Sequence, residues 1–372
     1  MFSFDEARAR WGRVCTMMAE NDVDALIAID LSRDEILFGH QRWLTGYIPV
    51  GGPAAALLHR DGRIELISER IGRPVTDYYA THGFPIELVS GFSAQLVAQR
   101  ISKMAPARLG IVEPESFPAL VAKLLSDFTP APETVDLSDA LQNLRLRKSA
   151  AELALIRTSC AIADAVWERV PELFRVGRRQ FEIIADVEHL MRLAGAEGGF
   201  NLLLPLPFLG RAMQSLANGD TIDAGARYLL EISPRYAGYY SQVTIPVTTH
   251  PHDADALNAY ADVVAAKEAA QLRMVPGSDL SEIALFVADF LQERGRKMAS
   301  LSLGHFCGMA LEEPRHNPAL PMRLDEGMTL IFHPVLAHPD YHSLMRADTY
   351  HITPSGAERL SKYAGGMLVV SN

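Results

Sequence analysis

GARYLLEISPRYAGYYSQ, residues 225–242, decides how the rest of the chain is read. It holds an apolar run ending in Glu231, a glycine-bearing turn, and an aromatic run that leads to Gln242, eleven positions after Glu231. Apolar and aromatic runs bounded by turn residues are strand signals, so the stretch predicts strand, turn and strand. A carboxylate at the end of a largely apolar strand must be paired, hydrogen-bonded, protonated or bound to a cation. The plainer alternative is a strand-end glutamate that reaches water.

Outward from this pair, two segments carry helical spacing. Phe181 to Ala194 stops at Gly195, and Leu280 to Arg294 stops at Gly295 after an introductory Pro276-Gly277. Each has apolar residues at helical intervals and a glycine where a helix ends. Two helices of the same design, each leading into strands, predict an internal duplication. Nearer the N-terminus, Asp24–Asp30, Ala54–His59, Arg63–Ile67 and Leu109–Val112 read as short buried strands between helical patterns, which predicts an α/β layer. Ser149 followed by Glu152 is a capping-box signature, so a helix is expected to start there. The expected organisation is an N-terminal domain over 1–145 and a catalytic domain over 146–372.

Bulk properties exclude several partners. The 372 residues suit two domains, and 48% hydrophobic with 22% charged residues is ordinary for a globular protein. A net charge of -10 without a basic stripe argues against nucleic acid. No secretory signal and no run of membrane-spanning length is visible. Cys15, Cys160 and Cys307 show neither zinc spacing nor a disulfide framework, so a reducing cytoplasmic setting is expected.

Further motifs complete a frame: Gly304-His305 within Gly-His-x-x-Gly308, Gly327-Met328 running to His333-Pro334, and Arg346-Ala347-Asp348-Thr349. With the 225–242 stretch and the Ser149 helix start, this frame resembles the pita-bread family of creatinase, prolidase, aminopeptidase P and methionine aminopeptidase. The resemblance covers nearly the whole chain. It implies a creatinase-like α/β N-terminal domain and an α+β pita-bread domain with a pseudo-twofold repeat. It also implies a homodimer in which the N-terminal domain caps the partner's active site, through His40, Arg42 or Tyr47. Trp43 in the same loop is read as core.

The family's peptidases hold two metal ions on Asp, Asp, His, Glu and Glu. Those positions fall here on Glu231, Gln242, His305, His333 and Ala347. A neutral amide cannot balance two cations, and an alanine supplies no ligand, so a dinuclear site is not expected. Creatinase, which hydrolyses without metal, offers the precedent for acid–base chemistry. The expected activity is an atypical hydrolase acting on a C–N bond of a small amino-acid-like, guanidino or cyclic amidine metabolite. His305, His333, Glu231 and Glu312 form its catalytic set, and Gln214, Tyr240, Gln242 and Arg315 bind substrate. Two histidines and carboxylates can move protons near neutral pH.

Other readings stay open at this point. Glu231, Gln242, His305 and His333 suit a single divalent iron, zinc or manganese ion, for hydrolytic, lyase or oxidative chemistry. The chain could instead be a binding module without catalysis. Cys307, two residues from His305, is a candidate nucleophile against an apolar packing role. Glu313, His316, His338 and His342 read as solvated loop residues, with a place on the rim of the cleft as the alternative.

Overall fold

The computed structural model describes residues 3–31, 39–206, 219–250, 253–314 and 316–370. The chain divides into two compact units, Met1–Arg145 and Leu146–Asn372.

The first unit is built on six strands: β1 Ala25–Asp30, β2 Ala54–His59, β3 Ile64–Ser68, β4 Ile86–Ser90, β5 Arg108–Ile111 and β6 Glu133–Asp136. They lie in the order β4-β3-β2-β1-β5-β6, with antiparallel pairing around β2 and parallel pairing at β3–β4, β1–β5 and β5–β6. The helices are α1 Phe4–Glu20, α2 His40–Thr45, α3 Arg73–Thr81, α4 Ala94–Met104, α5 Ala119–Ser126 and α6 Ser138–Leu146. Strands β1 to β3 are buried nearly throughout, which is why they read as continuous apolar runs. Ile27, Leu57 and Ile67 pack against Val97, Ile101 and Val121 in one core.

His40 and Tyr47 are buried within the first unit. His40 is buried between Glu113 (3.2 Å) and Arg145 (2.7 Å), and the buried Tyr47 hydroxyl donates to the Arg70 carbonyl at 3.4 Å. Trp43 is core, its carbonyl taking a bond from Arg10.

The second unit carries α7 Ala150–Trp167, α8 Val170–Leu173, α9 Gln180–Leu193, α10 Ala254–Gln271 and α11 Leu280–Gln292. Its strands are β7 Gly198–Leu206, β8 Arg227–Tyr236, β9 Tyr239–Tyr240, β10 Val243–Thr248, β11 Lys297–Ser300, β12 Gly304–Phe306, β13 Thr329–Phe332, β14 Val335–Ala337, β15 Leu344–Met345, β16 Asp348–Thr353, β17 Gly356–Arg359 and β18 Leu368–Val369. They form sheets ordered β18-β10-β8-β7, β11-β14-β15 and β12-β13-β16-β17, with β9 paired to β8. Helix α7 packs against β8, α9 against β7, α10 against β15 and α11 against β11, in keeping with the α+β arrangement that the resemblance implies.

The duplication is visible in backbone detail. Gly177 and Gly277 both adopt positive φ and donate to Ile222 and Leu324 carbonyls at 2.8 and 2.7 Å. Ile222 and Leu324 answer with bonds to Arg178 and Ser278 at 2.7 and 2.8 Å. Each clasp introduces a helix, α9 or α11, and each helix is followed by a left-handed glycine, Gly195 or Gly295. The same local problem is solved twice.

The capping box at α7 forms as the sequence indicates. Ser149 Oγ accepts from the Glu152 amide at 3.1 Å, and Glu152 Oε2 accepts from the Ser149 amide at 2.9 Å. Glu152 has a second duty: its Oε1 accepts from the buried Tyr239 hydroxyl at 2.7 Å, tying the helix to the Gly238-Tyr-Tyr hairpin. Among the described residues no helix is long and apolar enough to cross a membrane. Ser149→Ala should cost about 1 kcal/mol, the ordinary value of a lost cap. Glu152→Ala also strands the Tyr239 hydroxyl and should cost about 2–4 kcal/mol in urea denaturation. Equal costs for the two variants would refute the double role.

Candidate active site on the concave sheet face

The antiparallel registers determine which side chains share a face, because directly opposed residues point the same way. Glu231 on β8 opposes Thr244 on β10, and Thr244 forms an isolated antiparallel bridge with Ala347. Asp348 opposes Phe332, so the same register carries Ala347 to His333. Glu231, Thr244, Ala347 and His333 therefore form one row across the sheets. A second row runs beside it. Val243 opposes Ile232, which carries Gln242 to Ser233; Gln242 then meets Thr349, Thr349 opposes Ile331, and Ile331 opposes His305. All five positions of the family's ligand frame lie on one face in two adjacent rows.

The middle of the face is neutral. Gln242 is buried, its Nε2 donates to Thr244 Oγ1 at 2.9 Å, and its backbone is gripped by Thr349 Oγ1 at 3.0 and 3.1 Å. Gln242 Oε1 is buried and has no hydrogen-bond partner. An unsatisfied buried acceptor costs about 1–3 kcal/mol, so this oxygen is set to receive an N–H or O–H from a bound molecule. Ala347 is fully buried and contributes only a methyl group.

The histidines stand at one end of the rows. Their ring centroids are 5.5 Å apart with planes at 66°, and both side chains are buried. Gly304 makes this approach possible. Its φ is +125°, and a Cβ there would lie 2.1 Å from the Ile331 carbonyl oxygen and 3.2 Å from His333 Cδ2. No residue with a side chain fits. Glu231, half-buried with its Oε1 accepting from Ser233 Oγ at 3.3 Å, stands at the other end.

Among the described residues no three His, Cys, Asp or Glu side chains are grouped to hold a metal ion. The donor set lacks both bridging carboxylates of a dinuclear centre, because position 242 carries a neutral amide and position 347 a methyl group.

Tyr240 shares this face, two positions before Gln242, but its ring is buried and its hydroxyl accepts from Arg235 at 3.3 Å. Its amide donates to the Gly308 carbonyl at 2.8 Å, linking the 225–242 stretch to the His305 segment. Glu312 is half-buried in the chain following Gly308. Gln214 and Arg315 lie outside the described residues.

Several loop residues read as solvated are in fact structural. Glu313 is buried and ion-paired to Lys148 at 3.2 Å, while its other oxygen accepts from the Ala310 amide at 3.0 Å. Gly308 makes room for this carboxylate: a Cβ there would sit 2.3 Å from Glu313 Oε2. His316 is buried and its Nδ1 accepts from the Leu303 amide at 3.2 Å, with burial holding its pKa below the usual value. His338 is buried with its Nε2 3.2 Å from Asp255; only His342 is exposed. The Lys148–Glu313 pair was invisible because 165 positions separate two charged residues in unremarkable local sequence.

Cys307 is not placed to attack a substrate. It is fully buried, and burial pushes its thiol up to about 12 despite the opposing influence of Lys148. A thiol so protonated is inert at neutral pH.

A model of metallopeptidase family M24 matches residues 154–354. The Xaa-Pro dipeptidase of Pyrococcus horikoshii is 24% identical over 353 residues, covering 94% of this chain and 96% of that protein. Among solved structures, a prolidase from Thermococcus sibiricus aligns over 100% of both chains with a TM-score of 0.83 at 18% identity. The N-terminal domain of FACT complex subunit SPT16 from chickpea (Cicer arietinum) aligns over 98% of both chains with a TM-score of 0.76 at 13% identity. At these identities the structural likenesses establish the fold alone.

Lys148→Ala should destabilise the protein by about 3–5 kcal/mol, since it leaves the Glu313 carboxylate buried and unpaired. Lys148→Met with Glu313→Gln should recover much of that loss in the same denaturation assay; no recovery would contradict the pairing. In a thiol-labelling experiment on native protein near neutral pH, Cys307 and Cys160 should stay unmodified. Rapid labelling of Cys307 would restore it as a nucleophile.

Proposed function

The chain belongs to metallopeptidase family M24, and from that premise we propose a hydrolase in which acid–base chemistry replaces the dinuclear centre. Its substrate is a small amino-acid-like, guanidino or cyclic amidine metabolite, and the bond cleaved is C–N. The observation that carries this reading is the pair of buried histidine rings, 5.5 Å apart, on the same face as Glu231 and an unsatisfied Gln242 oxygen.

One histidine, His305 or His333, takes a proton from water as the oxygen forms a bond to the electrophilic carbon. The proton passes to the leaving nitrogen as the C–N bond breaks. Glu231 or Glu312 supports the charge on the imidazolium, and Glu231 can also neutralise a guanidinium or amidinium. Gln242 Oε1 accepts a substrate N–H, and Tyr240 completes the wall. Gln214 and Arg315 retain substrate-binding roles on the sequence frame. The same reading has a homodimer acting in the cytoplasm; the three free cysteines suit a reducing compartment.

The alternative of one divalent ion on Glu231, Gln242, His305 and His333 would draw on four side chains of this same face. A binding role without catalysis is the remaining reading, since a fold does not carry chemistry by itself.

A screen of cyclic amidines and guanidino compounds for C–N cleavage tests the proposal. A turned-over compound should lose at least about 100-fold in kcat in both His305→Ala and His333→Ala, the scale of a lost general acid or base. Manganese- or cobalt-dependent hydrolysis of a Xaa-Pro dipeptide would contradict it. A partner interaction abolished by changes on the pocket surface but intact in both histidine variants would favour the binding module.

A further inference from the structure

The C-terminal unit has a second cavity, of about 1000 Å³, on the opposite side of β16 from Ala347 and Thr349. It lies between α10 and the alternate-parity residues Arg346, Asp348 and Tyr350, with Arg359 on β17 and the 364–366 segment at its edges. None of these residues takes part in the chemistry assigned to the concave face.

Charge in this cavity is unbalanced. Asp348 is fully buried and accepts from Lys267, from Arg346 Nε and Nη2 at 3.0 and 3.1 Å, and from Ser361 Oγ at 2.8 Å. Two buried cations therefore share one carboxylate. Arg346 also donates to the Gly365 and Tyr363 carbonyls, which are neutral. Lining the cavity as well are exposed Arg359 and exposed Glu268, so three cations face two carboxylates and one positive charge is left over. Burial lowers the Lys267 amine to about 8, against the pull of Asp348.

A second observation points to a ligand. Tyr260 on α10 lines the cavity and is 6% exposed; its hydroxyl faces the Arg346 guanidinium but makes no hydrogen bond of good geometry. A buried hydroxyl without a partner is costly, and tyrosine hydroxyls in such places normally find one. Beside it, Ala261, Val264, Ala265 and Ala269 form an apolar wall.

We propose that this cavity binds a small organic monoanion: a carboxylate received by the Tyr260 hydroxyl and the Lys267–Arg346 cluster, with a short apolar body against the alanines of α10. The single excess positive charge matches a monoanion, and a dianion would overshoot it. The apolar wall gives no partner to a bare inorganic ion but contacts carbon.

Isothermal titration calorimetry on the full chain, with phenylacetate as the probe, tests the site. Inorganic phosphate and the neutral phenylacetamide serve as comparisons. Phenylacetate should bind, with phosphate and phenylacetamide at least about 10-fold weaker; one hydrogen bond to a charged group accounts for a change of this size. Tyr260→Phe, which keeps the ring and hence the packing, should weaken phenylacetate by about 10-fold. Ala265→Phe fills the cavity without touching the ionic cluster and should abolish the binding heat, with circular dichroism checking its fold. Absence of phenylacetate binding at tens of millimolar would overturn the proposal, as would binding unaffected by either variant. Equal binding of phosphate would overturn the organic-anion assignment.

Discussion

The Thr244–Ala347 bridge is the joint on which the site depends. Two backbone hydrogen bonds, 3.2 Å from the Thr244 amide to the Ala347 carbonyl and 3.1 Å in return, connect the β8–β10 sheet to the β13–β16 sheet. A slip of one residue there would turn every side chain on one half of the face to the other side. Thr349 secures the register from the next row by gripping both backbone groups of Gln242. The fold thus brings Glu231 and Gln242 onto one surface with His305 and His333, although the sequence separates them by more than sixty residues.

What that surface can do follows from the charges left on it. The frame position at 347 has become a methyl group and that at 242 a neutral amide, and a glutamate position has become His333. Negative charge remains at the Glu231 end, while proton-transfer groups cluster at the other. This separation suits a cationic or strongly polar small molecule lying along the rows better than a pair of cations clamped between carboxylates. The ionic Lys148–Glu313 pair anchors Glu313, whose amide donates to the Phe306 carbonyl next to His305, and Gly304 allows that segment to approach His333.

Much of this was legible in the chain itself. The 225–242 stretch, the capping box at Ser149 and the paired glycine-terminated helices are local signals, and each reflects a steric or hydrogen-bonding need met within a few residues. The family frame named five positions that the registers bring to one face. Less legible were effects that depend on distant partners. Glu313 and His316 look like loop residues, but Lys148 and the Leu303 amide bury them. Tyr240 looked like a free substrate contact, yet Arg235 already occupies its hydroxyl. Periodicity reports which face is apolar, not which polar group finds a partner across the fold.

We propose that this face, which lacks both bridging carboxylates, does not hold a dinuclear centre. The most direct test is elemental analysis of the purified chain after equilibration with manganese and removal of free ion, alongside His305→Ala and His333→Ala. The donor set predicts fewer than two ions per chain, with no loss common to both variants. Two ions per chain, released in either histidine variant, would contradict the account.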